Sequence, residues 1–218
     1  RLVNQLLDFQ KIQAGRKSYQ ATAVDLVGFV HNCRSYVETA CTVKNIDFRL
    51  DVPETPAPIR ARVELDGLEK ICFNFLANAL KFTPAGGMIT LGVEAAETKV
   101  TLFVKDSGPG ISESDQDKLF KLFSQVGDDA GTQGTGLGLA LAKELAEGMS
   151  GSVGVKSGPD EGSTFYVELP RSFEDTLVET TSSSLTDMDL STEVSRESTE
   201  SPALPASDDA QTILVVDD

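Results

Sequence analysis

The 218-residue chain has no Trp, one His, three Cys and only 6% aromatic residues. Basic side chains are scarce too, 19 against 34 acidic ones, for a formal charge of −15. Each scarcity closes a class of function. An acidic chain lacks the positive surface that nucleic acid or an anionic membrane would need. No apolar run approaches the ~18 residues required to span a bilayer. Cys33, Cys41 and Cys72 follow no metal-ligand spacing and read as buried small apolar groups. The lone His31 has no partner motif, sits beside Phe29, Val30 and Cys33, and reads as structural. The glycine-rich phosphate loop ending in Gly-Lys-Ser/Thr is also missing. What remains is 40% apolar residues, enough for one core.

The acidity is uneven. Residues 1–170 carry a net −5 and residues 171–218 a net −10. Segment 171–211 is rich in Ser and Thr, poor in apolar residues and without period. It reads as a disordered linker that as a flexible coil would span about 35 Å. Upstream, helical and strand patterns alternate. "LVNQLLDFQKIQAG" has a helical period ending near Gly15, and Asp25–Lys44 is a second helix. "IDFRLDV" and "IRARVEL" read as strands. Asp66 is the expected N-cap of a helix running to about Phe82. "GMITLGVEA" and "KVTLFVKD" are strands, followed by a Gly-rich stretch from Ser107 to Gly138. The helix "LGLALAKELAEGM" and the strands "GSVGVKS" and "GSTFYVEL" close the pattern. The expected fold is α+β, with helices on one face of a mixed, mostly antiparallel sheet.

Three stretches carry chemistry. On the helix from Asp66, the residues Leu68, Ile71, Cys72, Phe75, Leu76 and Ala79 form one apolar face. Asn74, Asn78 and Lys81 form a separate stripe about 120° away. Two amide oxygens and an ammonium in line suit a hard cation and a phosphate chain, although a solvated helix edge would look the same. "DSGPG", Asp106–Gly110, places a carboxylate and two glycines at the end of a strand. A ligand could approach the backbone there, but the same residues also make ordinary turns. "GTGLGLA", Gly134–Ala140, opens a helix with Gly134, Gly136 and Gly138, so backbone N–H groups can hold phosphate. A dinucleotide fingerprint is excluded, because Leu139 stands at its third Gly position and no strand precedes it.

In this order the pieces resemble the sensor histidine kinases. "NFLANALKFTP" is similar to their N box, "DSGPG" to their G1 box, "LFKLFSQV" to their F box and "GTGLGLALAKELAEGMSGSVGVKS" to their G2 box and following strand. "GSTFYVELP" matches as well. "LLDFQKIQAG" resembles the end of the second dimerisation helix, and "ILVVDD" the first strand of a receiver domain, as in hybrid kinases. The resemblance spans about residues 1–170 and 213–218. It implies a two-layer α/β sandwich of the GHKL (Bergerat) type. It also implies a division into a dimerisation-helix end (1–20), a catalytic ATP-binding domain (21–170), a linker (171–211) and a truncated receiver strand (212–218) in a longer cytoplasmic or membrane-anchored parent.

The resemblance further implies residue roles. Asn78, with Asn74 beside it, would coordinate Mg2+ on the ATP phosphates, and Lys81 would contact phosphate. Asp106 would accept from the adenine amino group, with Phe82 near the base. Gly108 and Gly110 would start a mobile lid; Gly134, Thr135, Gly136, Leu137 and Gly138 would end it on the phosphates. Phe120 and Phe123 would pack that lid down. The implied partners are ATP, a His-bearing dimerisation domain in a homodimeric parent, and a receiver domain or response regulator, with no nucleic acid. Where ATPase relatives place a Glu this chain has Asn74, an amide that takes no proton, so γ-phosphoryl transfer to a His is expected rather than hydrolysis. That acceptor His is not in this chain. The lid segment "GDDAGTQ" has two acids and no Arg, which leaves a degenerate ATP-binding regulatory module as the second reading.

Overall fold

The computed structural model describes residues 7, 9–10, 12, 19–55, 57–124 and 136–173. The elements are β1 (Thr22–Asp25), α1 (Leu26–Val43), β2 (Asp47–Asp51), β3 (Arg60–Val63), α2 (Leu65–Phe82), β4 (Met88–Ala95), β5 (Lys99–Asp106), α3 (Glu113–Gln116), α4 (Gly138–Gly148), β6 (Ser152–Ser157) and β7 (Ser163–Ser172).

Seven strands form one sheet in the order β1-β3-β7-β5-β4-β2, with β6 also paired to β7. Only β2 and β4 run parallel; every other pair is antiparallel. Alternation selects the buried face. Val100, Leu102 and Val104 of β5, and Phe165, Val167 and Leu169 of β7, point into the core. Opposite them α2 buries Leu68, Ile71, Cys72, Phe75, Leu76 and Ala79, the apolar face read from its spacing. The Phe75 and Phe165 rings stack at 5.8 Å. Leu141, Ala142 and Leu145 of α4 complete the same core. This is the expected α+β two-layer sandwich, with the helices on one face of a mixed sheet.

Local chemistry fixes the helix ends. The Asp25 carboxylate accepts from the N–H groups of Val27 (3.2 Å) and Gly28 (3.3 Å) and so caps α1. Lys44, just past α1, donates from Nζ to the Leu80 carbonyl at 3.1 Å, in the last turn of α2. The start of α2 differs from expectation. Glu64 is the cap residue, and Asp66 lies inside the first turn, paired with Lys70 at 3.0 Å. A carboxylate there favours the helix dipole without capping it.

Two further elements escape the sequence pattern. β1 is four residues long and exists through its pairing with β3, Thr22↔Val63 to Asp25↔Arg60. β7 runs to Ser172, past Pro170, where a strand was expected to stop at Leu169. Arg171 donates its N–H to Thr98 on the β5 side, so the Pro170 nitrogen faces the other side. There β6 has already ended, opposite Glu168, and β3 pairs only from Arg171. No ladder bond is lost at the proline.

Cys33, Cys41 and Cys72 are buried and unpaired, and burial pushes the Cys41 thiol up to about 11. His31 is exposed on α1. Phe9 and Ile12 of the upstream segment pack on the core. Among the described residues no helix is long and apolar enough to cross a membrane. The expected linker and receiver strand lie outside the described residues, apart from positions 171–173.

Candidate functional site

The site is built along α2. Near its C-terminal end the helix meets the end of β5. Asp106 is 5% exposed, and its Oδ1 accepts from the Gly108 N–H at 2.8 Å. Burial pushes this carboxyl above its ordinary range, while the N–H groups of Gly108 and Ser163 pull the other way. A methyl built on Gly108 would lie 2.8 Å from Asp106 Oδ1 and 3.0 Å from the Phe82 carbonyl. Only glycine lets the two elements close up there. Gly110 has φ +75°, and a methyl on it would run into the Gly158 carbonyl.

The segment after Gly110 is tied to the β6–β7 turn. The Asp160 N–H donates to the Pro109 carbonyl (2.7 Å) and the Ile111 N–H to Ser157 Oγ (2.8 Å). Gln116 Nε2 donates to the carbonyls of Ile111 and Ser157, both at 2.9 Å. Further on, the Phe123 N–H donates to the Gly136 carbonyl at 3.0 Å, and Gly136 sits at φ +65°. Residues 125–135, with Gly134 and Thr135, lie outside the described residues.

Towards the middle of α2 the surroundings change. Asn74 is 9% exposed, and a methyl on Gly138 would come within 2.7 Å of its Oδ1. The first residue of α4 therefore rests on the Asn74 amide. Among the described residues no side chain caps α4 at Leu137, and the first-turn N–H groups of such a helix can hold an anion. Asn78 and Lys81 are half-buried, and Lys81 Nζ stands 5.0 Å from the centroid of the Phe82 ring, which is 44% exposed. Among the described residues no three His, Cys, Asp or Glu side chains cluster as a metal cage.

Residues 64–172 match the family described as histidine kinase-, DNA gyrase B-, and HSP90-like ATPase, over half of the chain. The chain belongs to this ATPase family. The adaptive-response sensory kinase SasA of Microcystis aeruginosa is 32% identical over 171 residues, 78% of this chain and 44% of that protein. Hybrid signal transduction histidine kinase D of Dictyostelium discoideum is 32% identical over 178 residues, 78% of this chain and 11% of that protein. Full-length ShkA, crystallised in complex with AMPPNP, superposes with TM-score 0.69 at 30% identity, over 78% of this chain and 35% of its own. The chain thus spans less than half the length of each of these relatives.

Within this ATPase-family fold, Asn74, Asn78, Lys81 and Phe82 follow one another along α2. Asp106 and Gly108 close on its Phe82 end, and Gly138 stands against Asn74. Three expectations change. Asn74 does not stand beside Asn78 as an equal on an open stripe: α4 covers it. Leu137 is 2% exposed, so only its backbone can face a ligand. Phe120 packs on the core, but the Phe123 ring is 68% exposed, and that residue docks through its backbone on Gly136. Sequence reasoning passed over Ser163, which pairs with Asp106 across the sheet, and Thr83, buried just after Phe82. The one available signal was a Thr wedged between a helix end and Pro84.

Proposed function

We propose that the domain binds ATP with Mg2+ and supplies the γ-phosphoryl group to a histidine on a dimerisation helix, in two-component phosphorelay signalling. One juxtaposition supports this above all: a single helix meets a buried carboxylate at Phe82 and an uncapped helix N-terminus at Asn74. The two points are eight residues apart, about 12 Å along the axis, which matches a nucleotide lying base to phosphate.

On this reading Asp106 accepts from the exocyclic amine of adenine, and Phe82 covers the base. The backbone N–H groups of residues 134–138 hold phosphate, and Lys81 adds a positive charge. Asn78 is the principal side-chain ligand for Mg2+, with Asn74 behind it holding α4 in place. Mg2+ held there would supply charge that neutralises the phosphates. Asn74, one turn before Asn78, is an amide that takes no proton from water, which favours positioning for transfer over hydrolysis. The proposed division is a dimerisation-helix end at 1–20, this domain from 21, a linker to 211 and a receiver strand at 212–218. The parent would be a cytoplasmic or membrane-anchored hybrid kinase that partners a receiver domain. The Arg-free "GDDAGTQ" favours a second reading, an ATP-binding regulatory module without transfer.

Thermal unfolding with and without ATP–Mg2+ tests the site. At a ligand concentration 100 times Kd, binding adds about 2.7 kcal/mol of stability. A shift that vanishes in Asn78→Ala supports the reading; no shift, or an equal shift in the variant, removes it. Adding a His-bearing dimerisation domain in trans and following label from γ-ATP separates the kinase from the module. Persistent lack of label would favour the module.

A further inference from the structure

The two donors to Asp106 come from separate parts of the chain. The Gly108 N–H, just beyond β5, reaches Oδ1 at 2.8 Å, and the Ser163 N–H comes from the start of β7. The segment 106–111 and the β6–β7 hairpin thus each supply one hydrogen bond to the carboxylate. Its orientation depends on how these two segments lie against each other. They approach closely: a methyl on Gly162 would run into the Asp106 carbonyl, and one on Gly110 into the Gly158 carbonyl.

Three bridges join the segments. The first runs from backbone to backbone, the Asp160 N–H donating to the Pro109 carbonyl at 2.7 Å. The other two need side chains. Ser157 Oγ accepts from the Ile111 N–H at 2.8 Å and donates to the Gly162 carbonyl at 2.7 Å, so one hydroxyl serves both segments. Gln116 Nε2 donates to the carbonyls of Ile111 and Ser157, both at 2.9 Å. Both hydrogens of its amide are used, one on each segment, and the two acceptors fix which end of the amide is nitrogen. Gln116 ends α3, a single turn with no buried residue. A helix that short does not hold by itself, so its place on the hairpin comes from the Gln116 amide.

We infer that Gln116 and Ser157 are positioning residues for recognition of the base: they clamp the segment that follows Asp106 onto the β6–β7 hairpin, and so keep the Gly108 and Ser163 N–H groups in the arrangement that turns the Asp106 carboxylate toward the amine. This rests on the nucleotide reading above. Both residues act through backbone groups rather than on the ligand. With either side chain cut back, the two donors remain but their relative position loosens. That costs a bond that needs alignment more than it costs the hold on the phosphates.

The test measures binding of ADP–Mg2+ and of purine riboside diphosphate–Mg2+, which lacks the exocyclic amine, to the whole chain. Gln116→Met keeps the length of the side chain and removes both donors. Ser157→Ala removes the hydroxyl, and Ser157→Thr keeps it. Breaking the clamp from either side guards against loss of fold in one variant. Gln116→Met and Ser157→Ala should each weaken ADP about tenfold and leave the amine-free analogue within about twofold. Ser157→Thr should bind ADP within about twofold of the native chain. Equal losses for both nucleotides would make the two residues merely structural and overturn the proposal. So would native ADP affinity in Gln116→Met and Ser157→Ala, or a Ser157→Thr as weak as Ser157→Ala. If the native chain binds ADP no better than the amine-free analogue, the nucleotide reading of Asp106 falls first, without any variant, and this proposal with it.

Discussion

The two ends of the Asn74–Phe82 stripe are built on opposite principles, though one helix serves both. At Phe82, α2 closes on Asp106 in a tight, buried corner, with glycines where any side chain would collide. Asn78, one turn earlier, and Lys81, the residue just before Phe82, are half-buried, so charged groups there keep contact with water. Burial strengthens each hydrogen bond and penalises each mismatch, so the buried corner suits recognition of a base. An open cationic and amide surface suits phosphates and a cation that exchange with solvent. On the proposed reading the corner carries discrimination, and the stripe carries charge.

Breaking the buried end should cost most. Asp106→Asn removes the proposed acceptor for the adenine amine, and calorimetry should show ADP binding weakened by about 10- to 100-fold. The same variant should unfold at a higher temperature than the native protein without nucleotide, because an ionised group no longer has to be buried there. A less heat-stable Asp106→Asn would contradict the account of the corner.

Acidity should separate the ends next. The Asp106 carboxyl is raised in the folded state. Its contribution to stability is therefore fully present below the ordinary carboxylate range and lost as pH rises through the folded value. On the proposed reading binding runs the other way, since the adenine amine needs the ionised form. ADP affinity should fall as pH drops through that same window, while the stability gap between native protein and Asp106→Asn closes. Titrating both quantities over pH 3–7 would reveal parallel slopes if the assignment were wrong.

The open end should respond more mildly. Lys81→Gln should weaken ADP binding by about three- to tenfold, with the loss shrinking as salt rises. A loss that ignores salt would mean Lys81 acts through packing, for example against the Phe82 ring, and the contrast between the ends would blur.

How much was legible in the sequence follows the same line. The apolar face of α2, the strands β4, β5 and β7 and the helix α4 announce themselves by period, because one buried face dictates each pattern. β1 has only four residues and no signal of its own; it is a strand because β3 offers an edge. Asp66 looked like a cap because it is an Asp before an apolar run, yet the extended residue is Glu64. The stripe Asn74–Asn78–Lys81 was correct as helix geometry, but its inequality was not visible, since α4 arrives over Asn74 from sixty residues away. Gln116 and Ser157 were invisible for the same reason: 41 residues apart, they meet at Ile111 only because the fold brings the hairpin there.

The pairing of β1 and β7 on either side of β3 has a mechanical consequence. β3 runs antiparallel to both, so β1 and β7 point the same way. A pull on the chain before Thr22 and after Ser172 would load those ladders in shear, stressing several hydrogen bonds at once instead of unzipping them singly. The Asn74–Phe82 stripe lies on α2, outside those three strands. Tension transmitted along the polypeptide would be borne by three strands before it reached α2.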